Sequence, residues 1–268
     1  MKALSWNTLF AGIDTGSTKR RELQIEVVNA LKPDIFLMQE AKGFELNGQK
    51  LLFETEDAIN MRGFLGRAIH TGQNTLIFIN PSYKVHAFDY DNIHFHHVAT
   101  FLTVVVPGFS LPIQFASVHL SPVGVEIRRR EAAYLMQLAD PAKLSLITGD
   151  FNSLSPHDNE PENWETLSLH YRSRYFEGFE KKADRSVLEK FEAAGFIDCG
   201  HQANTTNQNT VPTKSYLNAE FVPFRCDYAL ASNMLAKRLK NFDVIKTDKT
   251  DLASDHYPIF MEFDSEGT

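Results

Sequence analysis

Four short fragments of this chain each end a hydrophobic run with residues that handle phosphate or metal: Gln39-Glu40, Ser117-Val118-His119, Gly149-Asp150-Phe151-Asn152 and Ser254-Asp255-His256. If the runs are strands of one sheet system, their ends gather carboxylates, amides and imidazoles in one pocket, the setting of metal-assisted phosphate chemistry. Glu40 is a candidate ligand for a hard cation, since magnesium takes one or two carboxylates and fills its octahedron with water and phosphate oxygens. A solvated glutamate at a strand end is the plainer reading. Asn7, closing the run at residues 3–7, is open in the same way between a site amide and one that satisfies backbone groups.

In Gly149-Asp150-Phe151-Asn152 the glycine permits a sharp exit from the strand, and Asp150 and Asn152, two apart, can point the same way. An aspartate with an ordinary pKa of about 3.9 is a weak base at neutral pH. Either a metal acidifies the attacking water or the protein raises the carboxylate pKa. The competing reading is an Asx-turn after a strand. Asp255 and His256 are adjacent and so diverge. Asp227, in Arg225-Cys226-Asp227-Tyr228, is the better partner for fixing the His256 tautomer, which frees Asp255 to approach a metal. A surface Asp-His turn before Pro258 is the alternative.

His119 could donate to a phosphate oxygen or a departing oxyanion, although a lone histidine is more often structural. His94, His96 and His97 alternate like metal ligands, but nothing supplies the remaining ligands, so they read as ordinary strand or loop positions. Arg128, Arg129 and Arg130 read as a solvated helix face first and as a phosphate clamp second.

The elements that must position these residues are legible in part. Buried-strand runs are predicted at residues 3–7, 35–38, 75–79, 98–106, 112–119, 143–148, 226–230 and 259–263. Pro107-Gly108 makes a hairpin of the fourth and fifth. Helical spacing is predicted over 19–31, 126–138 and 186–194, with a short helix near 54–60. For 126–138 the inward residues are expected to be Ile127, Ala132, Leu135 and Leu138. Residues 153–224 read as a long, irregular insertion holding an aromatic stretch at Tyr171, Tyr175, Phe176 and Phe179 and a loop-like polar segment at 204–209.

The 268 residues are 43% hydrophobic and include 21 Phe, enough for one continuous core in a single domain spanning 1–268. A formal charge of −7 argues against sequence-independent coating of nucleic acid. Cys199 and Cys226 have no metal-like spacing and read as buried small hydrophobes in a reduced, cytoplasmic protein. No apolar stretch approaches the length of a membrane span, and the chain is expected to be a soluble monomer.

Taken in order, Trp6-Asn7, Gln39-Glu40, Ser117-Val118-His119, Gly149-Asp150-Phe151-Asn152, Arg225-Cys226-Asp227-Tyr228 and Ser254-Asp255-His256 resemble the motifs of the endonuclease/exonuclease/phosphatase superfamily. That family includes deoxyribonuclease I, exonuclease III-type enzymes, sphingomyelinases and inositol polyphosphate phosphatases. The resemblance implies an α/β (α+β) four-layer sandwich, two mixed β-sheets packed face to face with helices outside. It implies that Asn7, Glu40 and Asp255 hold or support Mg2+ or Mn2+. Asp150 would orient and deprotonate the attacking water, and Asn152 would help bind the transition state. Asp227 would orient His256, and His256 and His119 would contact the scissile phosphate. The implied activity is hydrolysis of a phosphate ester, by a nuclease or phosphodiesterase acting on DNA or RNA. The alternatives are a phosphatase or phosphodiesterase for a small or lipid-derived ester, and a non-catalytic binding module that uses the aromatics of the insertion.

Overall fold

The computed structural model describes residues 1–177, 182–206, 208–217 and 220–265. Its strands are β1 (Lys2–Asn7), β2 (Ile35–Gln39), β3 (Arg62–Gly66), β4 (Thr75–Ile79), β5 (Lys84–Asp91), β6 (Ala99–Val105), β7 (Ile113–His119), β8 (Leu144–Asp150), β9 (Phe196–Asp198), β10 (Asp227–Ser232), β11 (Leu239–Val244) and β12 (Ile259–Phe263). The helices are α1 (Lys19–Leu31), α2 (Lys50–Ile59), α3 (Val125–Leu135), α4 (Leu169–Arg172), α5 (Ser186–Ala193), α6 (Cys199–Gln202), α7 (Asn233–Ala236) and α8 (Asp248–Ala253).

The strands form two six-stranded sheets, ordered β11-β12-β1-β2-β4-β3 and β5-β6-β7-β8-β10-β9. Each sheet is mixed because one pair runs parallel, β1 with β2 in the first and β7 with β8 in the second. Ala3, Ile35, Leu37 and Ile77 of the first sheet meet Leu102, Phe115, Leu146 and Ala229 of the second in one apolar layer. The opposite faces are also covered. Leu4, Trp6, Phe36 and Phe78 lie with Val27 and Val28 of α1 and Leu52 of α2, while Val118 and Ile147 lie with Ala132 of α3 and Leu188 of α5. Strands buried on both faces explain why the inner runs read as continuous hydrophobic stretches. The result is a four-layer sandwich.

Several expectations need correction. α2 begins at Lys50, ahead of the predicted start near 54. On α3 the buried residues include Arg128 and Glu131, whereas Ile127 is only half-buried, as is Leu138, which lies beyond the end of α3. Arg128 is therefore neither on a solvated face nor a phosphate clamp. Its guanidinium donates to Ser153 Oγ (2.9 Å) and to the Ser121 and Arg174 carbonyls (2.9 and 2.5 Å), stitching residues 153–177 to the sandwich. Arg129 is paired with Glu177 and Asp184, at 2.5 and 2.9 Å, and only Arg130 is exposed.

Gly149 also serves differently from expected. It lies inside β8 with φ of +146°, and a Cβ there would stand 1.9 Å from the Val118 carbonyl oxygen of β7. Glycine is needed for that close approach rather than for a sharp exit. In the long segment, Tyr175 packs with Trp164 and Phe224 in a separate buried cluster, so this part of the aromatic stretch is core and not contact surface. Phe179, and Asn207 of the polar segment, lie outside the described residues.

Candidate active site

Side chains alternate along a strand, so the residues that fill the layer between the sheets form one series per strand. Each series turns polar toward the same edge: Ala3, Ser5, Asn7 on β1; Ile35, Leu37, Gln39 on β2; Phe115, Ser117, His119 on β7; Leu146, Thr148, Asp150 on β8. Strand direction explains why these ends coincide. In the parallel pairs Asn7 faces Gln39 and His119 faces Asp150. β10 runs antiparallel to β8, and its first residue, Asp227, is registered on Asp150. β12 is antiparallel to β1 with Ser5 opposite Ile259, which brings the preceding residues, including His256, to the end of β1.

Buried hydroxyls and amides tie the edge together. Gln39 Nε2 donates across the layer to Ser117 Oγ at 3.0 Å, and Thr148 Oγ1 donates to the Tyr228 carbonyl at 2.7 Å. The loop before β12 is anchored by Ser254 Oγ on the Asn7 carbonyl (2.7 Å) and by Trp6 Nε1 on the His256 carbonyl (2.8 Å). After β1 the backbone passes through positive φ at Leu9, Phe10, Ala11 and Gly12. Non-glycine residues hold this conformation only when the surroundings demand it. Here Asn7 Oδ1 accepts from Leu9 N (3.2 Å), Glu40 Oε2 accepts from Phe10 N (3.0 Å), and Arg20 donates to the Leu9 carbonyl (2.9 Å).

At the centre, Asn7 Nδ2 stands 3.2 Å from Glu40 Oε1, 3.2 Å from Asp150 Oδ2 and 3.5 Å from His256 Nε2. Two imidazoles face the same Asp150 oxygen, His119 Nε2 at 3.4 Å and His256 Nε2 at 3.6 Å. His256 Nδ1 is 2.9 Å from Asp227 Oδ2. Asn152 donates its backbone N–H to Asp150 Oδ1 (2.8 Å), the Asx-turn geometry, and spends one amide hydrogen on the Leu120 carbonyl (2.9 Å). Asp255 is less engaged. It lies half-buried at the rim and accepts from Ser254 Oγ at 3.3 Å.

Burial dominates the electrostatics. It pushes the Asp150 carboxyl up to about 7, with the nearby His256 opposing and Asp227 reinforcing the rise. Burial alone would lower His256, but the Asp227 and Asp150 carboxylates outweigh it and hold this imidazole well above its usual range. His119, buried beside His97 and His256, is held well below that range and stays uncharged. Burial, and then the charge of Asp255, raises Glu40.

Two mutually repelling carboxylates in a buried setting suit a divalent cation. Glu40 and Asp255 offer hard oxygens, and beside them Gln73, whose Nε2 donates to Glu40 Oε2 (3.4 Å), has an Oε1 buried with no partner. Asn7 turns its amide nitrogen to the carboxylates, so in this orientation it braces them instead of ligating through oxygen. Asp150, Cys226 and His256 also bring potential ligand atoms within 4.8 Å of one another. That set fits poorly, because burial keeps the Cys226 thiol protonated and His256 carries its proton. The residues present thus fit magnesium or manganese at Glu40 and Asp255.

Sequence reasoning did not find Gln73, or Thr210, whose hydroxyl accepts from Cys226 N (3.1 Å) and Asp227 N (3.2 Å). Nor did it find Phe221, whose ring lies 5.6 Å from that of His256. These residues sit in loops without hydrophobic periodicity, and only the fold brings them to the site. His97, which reads from the sequence as an ordinary strand or loop position, has its ring 4.5 Å from that of His119.

A model of the Endonuclease/Exonuclease/phosphatase family matches residues 4–256. No curated protein matches the chain by sequence. Solved structures do match across their length. An AP endonuclease from Archaeoglobus fulgidus is 20% identical, with a TM-score of 0.66 over 98% of this chain and 99% of that one. The 3′ phosphatase NExo from Neisseria, bound to a product DNA hairpin, is 20% identical, with a TM-score of 0.68 over 98% and 99%. TDP2 from D. rerio, complexed with a single-strand DNA product, is 14% identical, with a TM-score of 0.67 over 99% of both chains. At these identities the likeness carries the fold.

Proposed function

Because the chain belongs to the endonuclease/exonuclease/phosphatase family, we propose that it is a divalent-metal-dependent phosphodiesterase that hydrolyses a nucleic-acid phosphate ester by in-line attack of water. The observation that carries this reading is Asp150 Oδ2, on which the Asn7 amide and the His119 and His256 imidazoles converge, with Glu40 on the far side of Asn7. Asp150 orients the attacking water and takes its proton. A buried carboxyl raised to about 7 is matched to that role near neutral pH. His256, kept protonated by Asp227, offsets charge that builds on a phosphoryl oxygen, and uncharged His119 donates a hydrogen bond to another. The free amide hydrogen of Asn152 adds a further donor. A divalent cation held by Glu40 and Asp255 supplies neutralisation of the phosphoryl oxygens when bound.

A cleft of about 560 Å³, walled by Phe10, Ile13, Lys42 and Leu46, adjoins the site through Phe10, whose backbone N–H donates to Glu40 Oε2. The Phe10 ring is 40% exposed and carries the Lys42 ammonium 4.7 Å from its centroid. A stacking face beside a cation suits a base and its phosphate. DNA products in two of the similar structures favour the same substrate class. A compact phosphate ester is the second reading, favoured by Phe221, which narrows the space over His256.

Incubation with supercoiled plasmid, single-stranded oligonucleotide and a panel of phosphomonoesters, each with magnesium or manganese, tests the proposal. Nicking or shortening of DNA that EDTA abolishes is the expected result. Turnover of the monoesters alone would move the assignment to the second reading, and no hydrolysis of any substrate would overturn both.

A further inference from the structure

Beside the site lies an arrangement that the hydrolytic roles do not use. His97 precedes β6, and the antiparallel register that sets Ala99 opposite Val118 carries it past the end of β7 to His119. The two rings lie in tilted contact, with centroids 4.5 Å apart at 36°, and the residues are only 6% and 5% exposed. Thr71 Oγ1 lies 2.8 Å from His97 Nδ1 and accepts from Gln73 N at 3.3 Å. A threonine hydroxyl has one proton and two acceptor sites, so this hydrogen bond anchors the His97 ring in either neutral tautomer. His97 Nε2 and His119 Nδ1 are both buried without a hydrogen-bond partner. Two unsatisfied nitrogens weaken a fold that an apolar ring would fill more favourably, so their presence calls for a role at the site.

We propose that His97, anchored by Thr71, is a positioning residue for His119: its ring packs on the face of that imidazole and holds it edge-on to Asp150. The inference rests on the phosphodiesterase reading for its kinetic consequence, but not for its geometry. Burial lowers His97 to about 3, so the two rings meet without like-charge repulsion. Without His97, the His119 ring has open space on one face and samples orientations that do not point Nε2 at Asp150. The hydrogen bond from His119 is then made in only a fraction of encounters, which lowers kcat and leaves substrate binding nearly intact.

The test compares wild type with His97→Ala, His97→Phe and Thr71→Val. Hydrolysis of bis(p-nitrophenyl) phosphate with manganese is measured alongside 15N NMR of the imidazoles in the cation-free protein. The expected outcome for His97→Ala is a kcat about 10- to 100-fold lower at a KM within about threefold, with the His119 15N pair moving from one neutral tautomer toward averaged shifts. His97→Phe, which restores the ring, should recover most of the loss. Thr71→Val should show a smaller loss in the same parameter, and it decides the matter if the alanine variant does not fold. Unchanged kcat in folded His97→Ala or Thr71→Val, or a kcat loss with unaltered His119 signals, overturns the proposal. If wild type hydrolyses nothing, the phosphodiesterase reading falls and the NMR comparison alone decides the positioning claim.

Discussion

Replacing Asp150 with Asn should stabilise the protein while it stops turnover. The Asp150 side chain is buried in the fold, and burial, opposed by His256 and reinforced by Asp227, lifts its carboxyl from an ordinary 3.8 to about 7. A carboxyl with a raised pKa binds its proton more tightly in the folded state. Its contribution to stability is therefore full below about pH 4 and is lost as pH rises through about 7. At about 1.4 kcal/mol for each tenfold change in proton affinity, ionising Asp150 in the cation-free protein costs about 4 kcal/mol above pH 7. Asparagine cannot ionise, retains an acceptor for Asn152 N, and leaves His256 its Asp227 partner at 2.9 Å. It puts an amide nitrogen where Asp150 Oδ2 accepts from Asn7 Nδ2 at 3.2 Å, which takes back part of the gain. A net gain of about 2 kcal/mol at pH 8 corresponds to about 4 to 8 °C in Tm for a chain of this size, shrinking toward zero near pH 4. Thermal and urea unfolding in EDTA at pH 4.5 and pH 8 would read the gain, and hydrolysis assays with manganese would read a loss of about 10²- to 10⁴-fold. An Asn variant less stable than wild type at pH 8, or equally stabilised at both pH values, would refute the desolvation argument. Wild-type turnover would refute the base role.

Other perturbations address the remaining groups. Asp227→Asn removes the carboxylate that helps keep His256 protonated, so kcat should fall about 100-fold and the alkaline limb of the kcat/KM profile should move to lower pH; an unmoved limb argues against the couple. Glu40→Gln should weaken manganese binding by more than about tenfold in calorimetry without lowering Tm, and unaltered affinity would remove Glu40 from the metal site. Phe10→Ala should raise KM for a single-stranded oligonucleotide about tenfold and leave bis(p-nitrophenyl) phosphate unaffected; equal effects on both substrates would mean that the residue shapes the loop and not the substrate cleft.

The legibility of the fold followed burial. The eight strands expected from hydrophobic runs are the inner strands of the two sheets, mostly covered on both faces although Phe101, Thr103 and Val105 of β6 are only half-buried, and all eight are found. The four that went unread, β3, β5, β9 and β11, are the four sheet edges. Edge strands carry polar and small residues that blunt them against further pairing, as in Lys84–Asp91, so they lack the apolar signature. The same logic explains the site. Residues at the polar end of an inward-facing series, such as Asn7, His119 and Asp150, are marked by the run before them. Gln73 and Thr210 have no such run. Arg128 misled for a related reason: a guanidinium is read as solvated until the carbonyls it serves, Ser121 and Arg174, are seen around it.

The most direct test of the central claim is a crystal structure of the protein soaked with manganese and inorganic phosphate, with the metal located by its anomalous signal. The expected peak lies against the Glu40 and Asp255 carboxylates, with a phosphate oxygen within hydrogen-bonding distance of His119 and His256 and facing Asp150. Manganese bound elsewhere, with Glu40 unliganded and phosphate absent from the two imidazoles, would contradict the account.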